Sequence, residues 1–483
     1  MALEQDKYET VIGLEVHAQL LTKTKLFSTD SAAYGGEPNT HISAVTLALP
    51  GTLPKLNKKA IEFAIKMGLA CNCEIERTNY FARKHYFYPD LPKGYQITQH
   101  ETPICKQGYV SIKTSDGKRI IRLNHIHLEE DAGKSMHDLN DQYSCIDYNR
   151  AGVPLIEIVS EPDMRSGEEA YAFVTELRKL VRYLGICDGN MEEGSMRCDA
   201  NISVRKKGET KLGTKVEVKN LNSIRNVKRA IEHESERMIE MLEKGESIQQ
   251  QTRSFDAETG TSFPLRSKEE ADDYRYFTDP DLPPFVVTDE FISEVEQTIP
   301  ELPEALFNRY KSSYSLSDYD ASQLADEKET AQYFEQVIQH TDQYKAAANW
   351  ILGPIRSFLN DHNQNMKDLQ LPAQSVARMI QLVEEGVINF SVASSRLFPA
   401  MVNEPGKDPG DLLTELNLTQ VGDANVVEQW VEAALSRMPD KVAEYKKGKK
   451  GLLGLFVGEV KKISKGKADP RLVNELLMEK LNQ

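Results

Sequence analysis

Acids stand along this chain at positions where an acid is out of character. In VIGLEVHAQL (11–20) Ile12, Leu14, Val16, Ala18 and Leu20 alternate with Gly13, Glu15, His17 and Gln19. On a strand, residues two apart share a face about 6.5–7 Å apart. Glu15 and His17 therefore project together, and a metal ion can bridge such a pair. In PLIEIV (154–159) Glu157 interrupts an apolar run. A carboxylate there is costly unless a cation meets it or the strand is an edge that opens to water. RCDANISV (197–204) sets Cys198, Ala200, Ile202 and Val204 against Arg197, Asp199, Asn201 and Ser203. TKVEVKN (214–220) sets Val216 and Val218 against Lys215, Glu217 and Lys219. A solvated sheet face accounts for Lys and Glu, but Asp and Asn are depleted from strands, so Asp199 and Asn201 point to a functional face. HLEEDAGKS (127–135) adds Glu129, Glu130 and Asp131. Acids of this kind suit a hard divalent cation such as Mg²⁺ that also holds phosphate oxygens. The histidine is the unusual member, since this ion prefers oxygen.

Cations and aromatics are interleaved in FARKHYFYPDLPKGYQITQ (81–99), which carries Arg83, Lys84 and Lys93 with Tyr86, Phe87, Tyr88 and Tyr95. Such a segment can grip a nucleotide end by phosphate contact and stacking, or can be ordinary strand core. The GKS at 133–135 is not a phosphate-binding loop of the P-loop type, because position 128 is Leu where that loop needs Gly. Lys134 is either a phosphate contact or a solvated lysine.

These residues need strands to hold them. Residues 9–290 read as short alternating segments, and from about 300 onward the pattern is helical. The joint is rich in proline, DPDLPP (279–284) and IPELPE (299–304), and Pro and Gly cluster again in NEPGKDPGD (403–411). The expected fold class is α+β, a strand-rich N-terminal body followed by an all-α half. Two helices are signalled within the body. Ser166 and Glu169 form an S-x-x-E capping box ahead of Phe173, Val174, Leu177, Leu180, Val181 and Leu184, with Gly185 as the stop. A second covers 224–243 through Ile224, Val227, Ile231, Met238 and Leu242. Near the C-terminus, Leu452, Leu455, Phe456, Val457, Val460 and Ile463 predict a helix with Lys461, Lys462, Lys465 and Lys467 outward. Asp469–Pro470 opens another through Leu472, Leu476 and Leu477.

The 483 residues suggest roughly three domains at ~150 residues each. No basic region followed by an apolar run opens the chain, and no apolar stretch of ~18 residues occurs, so a cytoplasmic protein without a membrane span is expected. The six cysteines form no repeated CxxC pair and read as free thiols; Cys71 and Cys73 are not assigned to zinc. A net charge of −15 argues against a protein coated in nucleic acid. Yet residues 441–483 carry eleven Lys/Arg and five Asp/Glu, +6, on a body of −21. A basic tail on an acidic body suits phosphate contacts with a folded RNA.

VIGLEVHAQL, KHYFYPDLPKGYQITQ, HLEEDAGKS, IDYNRAGVPLIEIVSEPD, MEEGSMRCDANIS, KVEVKNLNS and DDYRYFTDPD, in this order, resemble the signature segments of the GatB/GatE family. The tail GLLGLFVGEVKKISKGKADPRLVNELL resembles that family's YqeY-like domain. The archaeal branch carries an extra inserted domain, for which this chain is too short.

The resemblance implies a cradle-like catalytic domain over 1–298, a helical domain over 299–405 and a YqeY-like tRNA-binding tail over 406–483. It implies a component that works in a heterotrimer with GatA, the glutaminase, and GatC. With ATP and Mg²⁺ such a component phosphorylates the side-chain carboxylate of Glu-tRNA(Gln) or Asp-tRNA(Asn), and ammonia then displaces phosphate. Carried onto this sequence, the metal ligands are Glu15, His17, Glu130, Glu157, Asp199 and Glu217, with Glu157 and Asp199 central to catalysis. Lys84, Lys134, Arg150 and Lys219 are the phosphate or acyl-phosphate contacts. A scaffold that only binds RNA fits the basic tail but not the acid-rich strands, and a free-standing metal hydrolase would need no partner chains. Neither accounts for seven ordered motifs.

Overall fold

The computed structural model describes residues 7–136, 139, 142–267, 274–419 and 424–482. Asp272 and Asp273 of the DDYRYFTDPD segment lie outside the described residues, as do 420–423 and Gln483 of the tail. The chain forms two compact units, Met1–Pro303 and Glu304–Gln483.

The first unit is built on one large mixed sheet. Its main strands are β1 (Tyr8–Gln19), β2 (Ala82–His85), β3 (Tyr95–Thr98), β4 (Gly117–Glu130), β5 (Pro154–Ser160), β6 (Met196–Lys206), β7 (Val216–Leu221), β8 (Gln251–Asp256), β9 (Thr261–Ser267) and β10 (Phe277–Thr278). The order across the sheet is β9-β8-β7-β6-β1-β5-β4-β3-β2-β10. β1 lies in the middle, antiparallel to β5 on one side and to β6 on the other. Only β7 and β8 pair in parallel among these strands, and a parallel pair needs a crossover. The helix Ile224–Glu243 supplies it.

Alternation decides which face is packed. Ile12, Leu14, Val16 and Ala18 of β1, Cys198, Ala200 and Ile202 of β6, Val216 and Val218 of β7 and Ile156 and Ile158 of β5 are all buried in one core. Helices that contribute to that core include α1 (Lys58–Ala70), α2 (Gly167–Tyr183) and α3 (Ile224–Glu243). Phe173, Val174, Leu177 and Val181 of α2 and Val227, Ala230, Ile231 and Met238 of α3 are buried. The other face carries the polar residues.

The start of α2 departs from the expected box. Ser166 Oγ accepts from the Glu169 N–H at 3.2 Å, but the Glu169 carboxylate takes the Arg165 N–H at 2.7 Å and the Arg119 guanidinium, not the cap N–H. The ion pair with Arg119 draws the carboxylate off the cap.

The second unit is helical. Its C-terminal part packs α4 (Ala424–Ser436), α5 (Pro439–Lys446), α6 (Leu453–Ile463) and α7 (Pro470–Asn482) around Val427, Val431, Phe456, Val460, Val473 and Leu477. Asp469 Oδ1 caps α7 through the Arg471 N–H at 2.7 Å. Leu455, expected inward, is 47% exposed, because one residue from Phe456 is ~100° around the helix. Lys462 and Lys465 are exposed as expected. Lys461 is exposed as well and donates to Ser391 Oγ at 2.8 Å, whereas Lys467 is half-buried and donates to Asn417 Oδ1 at 3.0 Å. Among the described residues no helix is long and apolar enough to cross a membrane.

Candidate active site

Register brings the scattered acids of the sequence into rows across the polar face. His127, Glu157, His17 and Arg197 are successive partners on β4, β5, β1 and β6. One step along, Val159, Glu15 and Asp199 line up on β5, β1 and β6. Neighbouring strands lie about 4.8 Å apart, so side chains of one row touch.

Two groups of donors result. In the first, His17, Glu129 and Glu157 bring ligand atoms within 4.8 Å of one another; in the second, Glu15, Asp199 and Glu217 do the same. His17 Nε2 lies 3.4 Å from Glu157 Oε2 and 4.0 Å from Glu129 Oε1. His127 Nε2 lies 3.5 Å from Glu157 Oε2 and 3.6 Å from Glu129 Oε2. His125 Nε2 follows, 3.1 Å from His127 Nδ1.

The electrostatics follow from this crowding. Burial disfavours a charged ring at His17, but Glu157 and Glu129 outweigh it and push its pKa up to about 9. Burial opposes ionisation of Glu157 too, and His127 and His17 overcome it, holding the carboxyl far below the ordinary range. Glu15 is raised by burial and then by Glu157. His125 is pushed down to about 4 by burial and by His127. A compact store of negative charge, neutralised by whatever positive groups can reach it, is a cation site by its donor chemistry. Asn201 adds to the fit. Its Nδ2 donates to Glu15 Oε1 at 2.8 Å, and its Oδ1 is buried without a hydrogen-bond partner. An uncommitted buried oxygen beside three carboxylates is a further donor for a hard cation.

Beside the second group β7 bulges. Cys198 pairs with Leu221 and Ala200 with Val218, so β7 has one residue more than β6 there. Asn220 takes up the turn at φ +64°, a region that Asn tolerates better than most residues. A bulge re-aims side chains. Lys219 Nζ consequently sits 2.6 Å from Asp199 Oδ2 and 3.0 Å from Glu217 Oε1. Burial works against the ammonium, but Asp199 and Glu217 raise its pKa above the usual lysine range. Thr252 Oγ1 donates to Glu217 Oε2 at 2.9 Å.

A cleft of about 730 Å³ adjoins this edge, lined among others by Lys84, Tyr86, Lys219, Thr252 and Tyr274. It falls in the range of roughly 300–1,000 Å³ usual for ligand pockets. Lys84 Nζ lies 4.8 Å from the Tyr274 ring centre and its charge lowers the pKa of Glu157.

The structure thus gathers Glu15, His17, Glu157, Asp199, Glu217, Lys84 and Lys219. It does not gather Glu130. Ile126 and Leu128 face the core, and Glu130 follows them onto that side of β4. There its Oε1 accepts the Ile97 N–H at 2.9 Å and pairs with Lys93. Glu129 takes the place expected of Glu130, and the apolar alternation of HIHLEE was the signal for it. Arg150 is committed to the loop, donating to the carbonyls of Ala132 and Gly133 at 2.9 and 2.7 Å. Lys134 is exposed on a two-stranded ribbon, Lys134–Met136 against Cys145–Asp147, and does not line the cleft. His127, Thr252 and Tyr274 join the site without having been expected there; the alternation of HIHLEE was the signal for His127 as for Glu129, while nothing in the local sequence marks Thr252.

Comparison with known proteins shows the family. Residues 10–293 match the GatB/GatE catalytic domain, and 332–481 match the GatB domain. Proteins described as the B-type component of aspartyl/glutamyl-tRNA(Asn/Gln) amidotransferase are similar along the whole length. The one from Thermodesulfovibrio yellowstonii is 47% identical over 99% of this chain and 100% of its own. That from Caldicellulosiruptor bescii is 48% identical over 99% and 100%, and that from Geotalea daltonii 49% over 98% and 99%. With both domains matched in order and near half of all positions shared with full-length relatives, the chain belongs to the GatB/GatE family.

Proposed function

We propose that this chain is the GatB component of a glutamine- and ATP-dependent aspartyl/glutamyl-tRNA(Asn/Gln) amidotransferase, a ligase that forms carbon–nitrogen bonds. It acts with GatA and GatC on Glu-tRNA(Gln), Asp-tRNA(Asn) or both. The observation that carries the reading is the pair of three-donor groups on one sheet face, beside a cleft edged by Lys84 and Lys219. Relatives described as that component along their whole length support it. The domain plan is a catalytic body over 1–298, a helical domain over 299–405 and a tRNA-binding tail over 406–483.

A side-chain carboxylate is a poor acyl donor because its leaving group would be oxide. One of its oxygens attacks the terminal phosphorus of ATP, the bond to the bridging oxygen breaks, and ADP leaves. Ammonia from the glutaminase then attacks the acyl carbon. The carbon–oxygen bond breaks, phosphate departs, and a proton is lost to water. Catalysis of this kind is mostly positioning and charge neutralisation. Mg²⁺ supplies charge neutralisation of the phosphates when bound. Glu157, Glu129 and His17, and Glu15, Asp199 and Glu217, would hold it. Lys84 and Lys219 fix the polyphosphate from the cleft side. His127 holds Glu157 and Glu129 in place, and Thr252 does so for Glu217.

The test is amidation of each misacylated tRNA by the complex assembled with GatA and GatC, supplied with glutamine and ATP. Formation of the amide with stoichiometric ADP is expected. Amidation by the purified chain alone, fed only glutamine, would contradict the assignment; activity of that chain with ammonium salts would not.

A further inference from the structure

The substrate of the proposed reaction carries one positive group. Its side-chain carboxylate and the polyphosphate are anions, and cations answer them. The α-amino group of an aminoacyl ester is free, and protonated it is an ammonium. Brought into a cleft and out of water, an ammonium needs an anion that no other group has taken.

Asp90 is such an anion. It lines the 730 Å³ cleft and is the one acid among the described residues to do so. It belongs to neither donor group. Its backbone is fixed in the turn between β2 and β3. The Leu91 N–H donates to the Tyr88 carbonyl at 3.0 Å, and the Gly94 N–H to the Leu91 carbonyl at 3.1 Å. From the neighbouring loops the Gly133 N–H donates to the Asp90 carbonyl and the Tyr148 hydroxyl to the Pro89 carbonyl, both at 2.8 Å. The side chain is not used in this way. Oδ1 is buried and has no hydrogen-bond partner among the described residues. An Asp at a turn usually takes the N–H two residues on; here that residue is Pro92, which has none. Arg150 spends its guanidinium on the carbonyls of Ala132 and Gly133. Burial raises the pKa of Asp90; its own N–H and Arg150 oppose that, and Asp131 adds to it. A carboxylate with a bare buried oxygen is costly unless a ligand completes it.

The surroundings suit the same guest. Tyr86 also lines the cleft. Burial, then Glu129 and Asp90, raise the pKa of its hydroxyl, so this side chain lies near both the first donor group and Asp90. An ammonium is also attracted to such a ring. The α-nitrogen of a glutamate stands four bonds from its side-chain carboxyl carbon, about 5 Å at full extension. One amino acid can be held at both ends in a space of that size.

We propose that Asp90 is the anchor of the substrate's α-ammonium, so that the enzyme accepts a tRNA-borne amino acid with a free amino group and disfavours one whose amino group is acylated. The inference rests on reading the cleft as the site of the aminoacyl end. A tRNA carrying a peptide or an acylated residue with the same side chain presents a neutral amide, which leaves the carboxylate unpaired. Asp90 thereby confines the reaction to amino acids not yet joined through their nitrogen.

The experiment is amidation by the complex assembled with GatA and GatC, supplied with glutamine, ATP and a misacylated tRNA in three forms: free amine, N,N-dimethyl and N-acetyl. Dimethylation adds bulk and keeps the charge, whereas acetylation adds similar bulk and removes it. In the wild type, acetylation is expected to lower kcat/KM at least about tenfold, the scale of one charged hydrogen bond, and dimethylation less than about threefold. D90N should lose at least about tenfold on the free amine, mostly through KM, and treat the three forms alike. The wild-type preference for free over acetylated amine should fade as pH rises and the substrate's ammonium gives up its proton; D90N should show no such slope. A wild type that amidates the acetylated form as well as the free one overturns the anchor and leaves the proposed reaction standing. An equal penalty for dimethylation marks exclusion by size and overturns it too. So does an acetyl penalty that survives in D90N, or a D90N complex inactive on all three forms with its glutaminase intact. If the wild type amidates none of the forms, the proposed reaction itself falls, and this inference with it.

Discussion

The polar face of the N-terminal sheet and the surface of the C-terminal helices use charge in opposite ways. On the sheet the acids are half-buried or buried, held in rows by strand register, and faced by imidazoles, by Lys84 and Lys219 and by an uncommitted amide oxygen. On the helices the charges stand in water. Lys446, Lys447, Lys449 and Lys450 are exposed, and pairs such as Arg437 with Glu459 ride on the outside of a small core. Charge fixed in low dielectric selects a ligand by geometry, whereas charge on flexible stems in water selects only by sign. The first arrangement suits chemistry on one atom, and the second suits a grip on a phosphate backbone.

The sharpest way to break this comparison is to remove a charge from the sheet. Glu157→Gln or Asp199→Asn should lower tRNA-dependent amide formation at least about 10²-fold, the scale for losing a preorganised charge in an active site. Glutaminase activity of GatA in the complex should survive at least in part, and the fold should hold, since the shape of each side chain is kept. Unchanged amidation in both variants would remove these residues from the site.

The cores can be compared by deletion. Phe173 and Phe456 are both fully buried, one under the sheet and one in the tail. Each Phe→Ala change should cost about 3–5 kcal/mol. Calorimetry should show Phe173→Ala lowering the transition of the first unit alone and Phe456→Ala that of the second unit alone. A single shared transition moved by both would join what the contacts divide.

Acid sharpens the comparison a step further. The pKa of His125 is about 4 in the folded chain and about 6.5 when unfolded. The folded pKa is depressed, so the stability it contributes is present above pH 6.5 and is lost as pH falls to 4. The loss is at most about 3 kcal/mol. His125→Gln should flatten urea stability across that window. An equal pH slope in wild type and variant would refute the shift.

The smallest effect belongs to the tail. Deleting 411–483 should raise KM for misacylated tRNA roughly tenfold and flatten the salt dependence of binding, with kcat at saturating tRNA little changed. Equal tRNA affinity with and without the tail across a salt titration would give those lysines some other task.

The sequence by itself determined the faces. Period-two alternation in 11–20, 197–204 and 214–220 placed Glu15, His17, Asp199, Glu217 and Lys219 opposite the core, and the structure keeps every one of them there. Helical spacing and caps located α2, α3 and α7, because those signals act within a few residues of chain. The ordered motifs identified the family. Glu129 was equally legible, since Ile126 and Leu128 fix the side on which each neighbour must fall. Only the tertiary structure decided which polar residues meet. That β1 lies between β5 and β6, with His17 opposite both Glu157 and Arg197, depends on pairings more than a hundred residues apart. The approach of Lys219 to Asp199 depends on one bulge, and the loss of Arg150 to two loop carbonyls on a fold-back of the chain. Local sequence encodes which way a side chain points, but pairing register and loop closure choose its partner.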